Sequence, residues 1–417
     1  MEKKISAKKD YFWNTVAGLI NAAEAVIMSM IITRITGLTD AGYVTIAFAV
    51  GNLLLTVGKY GVYGFQVTDH NAEYSFITYF RTRIITTIAM IICLALYILY
   101  GLAYLSYSRD KILIIMFIGL IYSVESFEDL IKAQLQYIGL LYIGAIMFIV
   151  RWCTILISFG ISLYFTRRTS TSLGISFILS IIVFFICYIY ANRTLYTEHS
   201  NNSIEIVKCF DLLKACFPLF VSMFLSFYII NASKYAIERY MDAEVQACFG
   251  FVAMPVFAIE LLNSFIYQPQ IISMTSDYND GRLDKFKTRI KKQYLIITLI
   301  TVICIALAYF IGIPVLSLLY NTALSAYMSE LLILLAGGGF LALAGYQGII
   351  LTIIRKQRYQ LYGYIPVATL SLFFVGVTVK KYGTIGAALS YLILIILLCI
   401  IYEMFICKSL NIADVYS

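Results

Sequence analysis

Histidine is almost missing from this chain of 417 residues: His70 and His199 are the whole supply, and both fall in polar connections. A histidine-based catalytic centre or zinc site has nothing to be built from. Cysteine occurs nine times, but with no CxxC pair and no metal-ligand spacing, so the cysteines read as small buried hydrophobes and no metal or cofactor is expected. No Walker-type GxxxxGK[ST] stretch is present, which removes nucleotide hydrolysis as a power source. Charge is thin as well, at 13% of residues against 61% hydrophobic, with a mean hydropathy of +0.86. A soluble core could not hide that much apolar surface, so the chain reads as an integral membrane protein.

The net charge of +8 does not indicate nucleic acid, because Lys and Arg gather in alternate connections, notably 3–9, 193–214, 282–292 and 355–358. This is the positive-inside pattern, and it predicts both termini in the cytoplasm. The basic start precedes an apolar run too long for a signal-peptide core and lacking a small-x-small cleavage site, so it is expected to stay as the first membrane helix.

Apolar runs fall at about 11–33, 41–57, 84–106, 112–136, 138–166, 172–191, 213–238, 243–271, 294–320, 325–354, 359–379 and 383–407, each long enough to cross a bilayer. They predict an all-α membrane protein of about twelve transmembrane helices. Weak echoes in order support two six-helix lobes, 1–200 and 201–417: Arg34 to Ala41 with Arg239 to Ala243, Gly101 to Ser106 with Gly312 to Ser317, and Leu173-Gly174 with Ile385-Gly386. Six is even, so the lobes share orientation and are expected to be related by a pseudo-two-fold along the membrane normal, with a cleft between them. All five prolines, Pro218, Pro255, Pro269, Pro314 and Pro366, lie in the second half, which should hold more of the bends. Gly337-Gly338-Gly339 reads either as a hinge or as a site of close helix packing. Within 276–293, Leu283, Phe286 and Ile290 recur at helical spacing among lysines and arginines, which reads as an interfacial amphipathic helix or a solvated basic loop.

Several polar groups sit at membrane depth, where they are costly unless they face protein or water. Counting roughly 1.5 Å per residue places Glu24 and Arg151 at one depth, which predicts a pair that is either a switch or a static brace. Lys59 on the second run aligns with a position next to Glu260 on the eighth, and Asn263, Gln268 and Gln270 follow Glu260. Lys59 could offer an ammonium to an anion or snorkel to the interface. On the seventh run Asn231, Lys234 and Glu238 share a face, where Lys234 either holds an anion or pairs with Glu238. On the fourth, Glu125, Glu128, Asp129 and Lys132 crowd adjacent turns, reading as a proton-exchange site or as a solvated helix end.

One resemblance accompanies these readings. The order Asn14, Arg34-Ile-Thr-Gly37, Asp40-Ala-Gly42-Tyr43, then Gly58 and Gly61 resembles the opening of the Wzx-type polysaccharide-transporter flippases of the multidrug/oligosaccharidyl-lipid/polysaccharide exporter (MOP) superfamily, which share the MATE-like fold. The resemblance implies a non-enzymatic flippase of the bacterial cytoplasmic membrane. Such a protein moves a polyprenyl-diphosphate-linked oligosaccharide from inner to outer leaflet for capsule, O-antigen or another surface polysaccharide. It further implies alternating access driven by H+, Na+ or the membrane potential, and polysaccharide polymerase machinery as a partner. On that basis Asn14, Asn21, Lys59, Arg151, Asn231, Lys234, Asn263 and Gln268 are expected to contact substrate, and Glu24, Glu125, Asp129 and Glu260 to couple or gate. A MATE-type drug or cation antiporter is the nearest competitor, with Glu24, Glu125 and Glu260 forming an acidic cavity. A polytopic polymerase or ligase fits less well, since the predicted outer loops are all short.

Overall fold

The computed structural model describes residues 2–69, 73–192 and 206–410, with side chains from residue 9 onward in the first helix. His70, His199, Arg193 and the expected lobe junction at 200/201 lie outside the described residues, as do the side chains of Lys3, Lys4 and Lys8. Among the described residues the chain is helical throughout, with no strand. It divides into two compact units, Met1–Phe224 and Leu225–Ser417.

The first unit contains α1 (Glu2–Ile35), α2 (Leu38–Lys59), the short α3 (Val62–Thr68), α4 (Phe76–Tyr104), α5 (Arg109–Tyr137), α6 (Leu141–Thr166) and α7 (Thr169–Asn192). Local chemistry sets the starts: the Ser75 hydroxyl accepts from the Thr78 amide at the head of α4, and Ser108 does the same for Lys111 at the head of α5. The chain leaves α2 through Tyr60 (φ 48) and Gly61 (φ 70), where glycine takes the left-handed turn without a Cβ penalty. At the centre stands α5, which packs on α2, α3, α4, α6 and α7. A Cβ on Gly51 would lie 2.5 Å from the Tyr122 ring, so the small residues of α2 are what let it close on α5.

Helix α8 (Ile206–Tyr240) contains Pro218 and runs past the division between the units. In the second unit follow α9 (Ala243–Ala253), α10 (Val256–Tyr267), a 3-10 turn (Gln268–Gln270) and α11 (Ile271–Asn279); then α12 (Leu283–Leu307), a π turn (Ala308–Gly312) and α13 (Ile313–Tyr320); and finally α14 (Met328–Ile353) and α15 (Arg358–Ser409). Three breaks fall at proline: Pro255 separates α9 from α10, Pro269 lies in the 3-10 turn, and Pro314 follows the π turn. Helix α15 is two arms meeting at Gly383 (φ 62, ψ −140). A second hub, α14, touches α9, α10, α11, α12 and α15.

Ten helical stretches among the described residues are long and apolar enough to cross a membrane. Helix α5 is not among them because Glu125, Glu128 and Asp129 interrupt it, and α15 counts as one stretch despite its two arms. With α5 and the second arm included, the expected twelve crossings are there. Exposed apolar side chains run in helical stripes, Ile85, Ile88, Ile92, Leu96 and Leu99 on α4 and Ile178, Ile182, Phe185 and Ile189 on α7, as lipid-facing surfaces require.

One expectation changes here. The 276–293 stretch is mostly helix, and Phe286 and Ile290 are buried, with Phe286 against Tyr278 of α11 (ring centroids 5.5 Å apart), so two of the three stripe residues are spent on protein and only Leu283 stays exposed. The triple glycine does not break the backbone, since α14 continues through it, and the close packing around it matches the second of the two readings. A Cβ on Gly337 would lie 2.5 Å from the Tyr391 ring, and one on Gly339 would strike the Thr301 side chain. Gly339→Ala is therefore expected to cost about 1–3 kcal/mol of stability; an unchanged unfolding midpoint of the purified variant would contradict the packing account.

Candidate functional site

Helix α5 brings its acids into the middle of the first unit, and the neighbouring helices supply the bases. Lys59, at the end of α2, places Nζ 3.0 Å from Glu125 Oε1 and 4.0 Å from Asp129 Oδ1. From α6, Arg151 donates through Nε to Glu128 Oε2 at 2.7 Å and through a terminal nitrogen to Glu125 Oε2 at 3.2 Å. Arg83, on α4 and fully buried, donates to Asp129 Oδ2 at 2.9 Å and to the Gly58 carbonyl at 2.7 Å. Trp152 Nε1 donates to Glu125 at 3.2 Å, and its ring and that of Phe148 flank the Arg151 guanidinium. Buried charge is tolerated at this depth because each acid has a cation within hydrogen-bond distance, and Glu125 is held by Lys59, Arg151 and Trp152 together.

A cavity of about 220 Å³ opens against this network, lined by Asn14, Ala17, Gly18, Asn21, Lys59, Glu125, Glu128, Asp129, Lys132 and Phe148. Asn14, Asn21, Lys59, Glu125 and Asp129, singled out from the sequence, thus share one wall system. Within it Lys132 differs from the other bases: among the described residues no carboxylate lies within ion-pairing distance of its ammonium. Its stem packs under Gly144 of α6, where a Cβ would come within 2.9 Å.

Glu24 is buried beside this network but does not line the cavity. The Tyr122 hydroxyl donates to Glu24 Oε1 at 2.8 Å and accepts from Asn52 Nδ2 at 3.1 Å, while Glu24 Oε2 has no hydrogen-bond partner. The expected Glu24–Arg151 pair is not formed, because Arg151 reaches α5 and finds two carboxylates there. Nor are the α5 acids a solvated helix end, with Glu125 and Glu128 at 4% and 3% exposure. Glu128 pairs with Arg151 of α6 and not with Lys132, four residues on along its own helix.

In the second unit, Lys234 lines a small cavity with Ser233, Phe249, Val256, Leu334 and Tyr391 among others. It does not pair with Glu238. Asn231 and Asn263 give their amide nitrogens to their own helices, at the Phe227 and Ile259 carbonyls. Glu260 is half-buried, with Oε1 facing Gly345, and Gln268 is exposed in its 3-10 turn. Among the described residues no group of three His, Cys, Asp or Glu side chains is arranged to hold a metal ion.

Sequence reasoning missed Arg83, Tyr122 and Trp152. Arg83 stands at the edge of an apolar run and counts as loop charge in a positive-inside tally; the structure places it about two turns into α4, where it meets Asp129.

No protein-family model matches the sequence, and no curated protein does. Solved structures do match. The chain is similar to an inward-facing multidrug resistance MATE family transporter of the MOP superfamily, with a TM-score of 0.64 and 14% identity over 95% of this chain and 96% of that one. It is similar to the lipid II flippase MurJ in an inward closed conformation, at 0.71 and 13% over 96% and 89%. It is also similar to a MOP superfamily transporter from Pyrococcus furiosus, at 0.58 and 13% over 99% and 97%. Likeness at such identity establishes architecture, and the chain has the all-α fold of the MOP superfamily membrane transporters.

Proposed function

We propose that this chain is a Wzx-type flippase of the bacterial cytoplasmic membrane, with both termini in the cytoplasm and its two halves acting as six-helix lobes. It carries a polyprenyl-diphosphate-linked oligosaccharide repeat unit from the inner to the outer leaflet for surface-polysaccharide assembly, driven by an ion gradient or the membrane potential. The observation that supports an anionic substrate is the charge balance of the first-unit cavity. Glu125, Glu128 and Asp129 each have a cation at 3.0 Å or closer, whereas among the described residues Lys132 has no carboxylate partner. Counting the two arginines behind the wall, Lys59, Lys132, Arg83 and Arg151 outnumber Glu125, Glu128 and Asp129 by one, with Glu24 outside the wall. A diphosphate entering the cavity takes Lys132 first and then competes for Lys59, while Asn14 and Asn21 offer amides to the adjoining sugar. The cavity volume suits a diphosphate and its first sugar, which leaves the polyprenyl tail to the bilayer.

A second reading, a MATE-type antiporter of organic cations, draws on the unpaired Glu24 carboxylate and on the likeness to MATE structures. Reconstitution separates the two. In proteoliposomes, Lys132→Met is expected to slow flipping of a fluorescent polyprenyl-diphosphate glycan by roughly tenfold or more, the loss of one charge-assisted hydrogen bond, while Lys132→Arg keeps most of it. Unchanged glycan flipping in Lys132→Met, together with Glu24-dependent efflux of a cationic dye, would overturn the flippase in favour of the antiporter.

A further inference from the structure

The second unit holds a charge that the proposed function does not use. Lys234 lies on α8 six residues before Tyr240, half-buried, with its side chain lining a cavity of about 20 Å³. That volume holds roughly one water-sized guest, so a diphosphate has no room in it. The walls come from five helices: Ser233 and Lys234 on α8, Phe249 on α9, Val256 on α10, Leu334 on α14 and Tyr391 on α15.

What the walls offer is one-sided. Among the described residues no carboxylate pairs with the Lys234 ammonium. Tyr391 is 4% exposed, and its phenolic oxygen is buried without a hydrogen-bond partner. The Ser233 hydroxyl is already committed, donating to the Ala387 carbonyl at 2.7 Å. Among the described residues Lys234 is thus the cavity's one cation, Tyr391 stands in its wall with an uncommitted O–H, and the other walls are mostly hydrocarbon. An isolated ammonium in such surroundings is expensive and is relieved by a counter-ion of matching size. A divalent or strongly hydrated anion would lose more hydration than one ammonium and one hydroxyl return, whereas a monatomic, monovalent anion would lose far less.

We propose that Lys234 and Tyr391 form a binding site for a single halide-class anion inside the second unit. The anion neutralises Lys234 and, because five helices contribute to the cavity, ties them together; a halide that binds only the folded chain must raise its stability with concentration.

The test uses the full chain in detergent, with potassium bromide exchanged for potassium gluconate at constant ionic strength. The unfolding midpoint is expected to climb by several degrees over about two decades of bromide concentration. Lys234→Met should abolish the climb and Tyr391→Phe should shift it to higher bromide, while Arg168→Gln, at an exposed position in the other unit, should leave it in place. Anomalous diffraction from wild-type protein in bromide should place a peak beside Lys234 Nζ and the Tyr391 hydroxyl, a readout that does not depend on any variant folding. Equal midpoints in the two salts, a bromide response that survives Lys234→Met, or a cavity holding only water would each overturn the proposal.

Discussion

Arg151→Ala is expected to strip most of the folded protein from detergent extracts. The guanidinium is 1% exposed and supplies both Glu128 and Glu125, and Glu128 has no other cation at contact distance among the described residues. Removing one member of a buried pair leaves a carboxylate stranded in low dielectric, which costs about 3–5 kcal/mol, a large part of a typical stability. The informative companion is the double variant Arg151→Met with Glu128→Gln, in which both charges leave and similar volume remains. It should recover much of the loss, as the non-additivity of a contacting pair requires. Thermal midpoints of the two singles and the double give the coupling directly; additive effects would mean that Arg151 and Glu128 are solvated separately and that the ion-pair network is not what holds α5 to α6.

Glu24→Gln is expected to separate transport from its driving gradient. The carboxylate keeps one oxygen on the Tyr122 hydroxyl and leaves the other without a partner in a buried setting, and in the proposed mechanism that oxygen would load a proton or small cation. Glutamine preserves the shape and the Tyr122 hydrogen bond but cannot exchange a proton. Gradient-driven flipping should fall by roughly 5–150-fold, the usual range for coupling between two sites, while the unfolding midpoint and exchange without a gradient change little. A full response to the gradient in Glu24→Gln proteoliposomes would remove Glu24 from coupling.

Depth was legible in the sequence and partnership was not. Counting along the first and fifth apolar runs placed Glu24 and Arg151 at one level, which follows from the fixed rise of a helix. Which helix Arg151 faces depends on the rotation of α6 about its own axis, and in a chain of near-continuous hydrophobic runs the weak amphipathic signal does not set that rotation. The acids of α5 misled for a related reason. Charges near the end of a span read as solvated unless one knows that five other helices surround it. Asn14 and Asn21 were recognisable because a polar group inside a long apolar run has few cheap alternatives, and Lys59 because it follows such a run by two residues, whereas Arg83 stood just before the run that begins at 84 and carried no such mark. The bends of the second half were foreseeable at Pro255, Pro269 and Pro314, since a ring without an N–H must interrupt the ladder.

The Gly58 carbonyl has one more consequence. Arg83 and Thr86 both donate to it, at 2.7 and 2.8 Å, while the same guanidinium grips Asp129. The last turn of α2, the first turns of α4 and the charged stretch of α5 are thereby riveted at one point, and none of the three can slide along another without exposing a buried guanidinium. In the proposed transport cycle this trio is expected to travel as a block, and Arg151 ties α6 to the same block through Glu125 and Glu128.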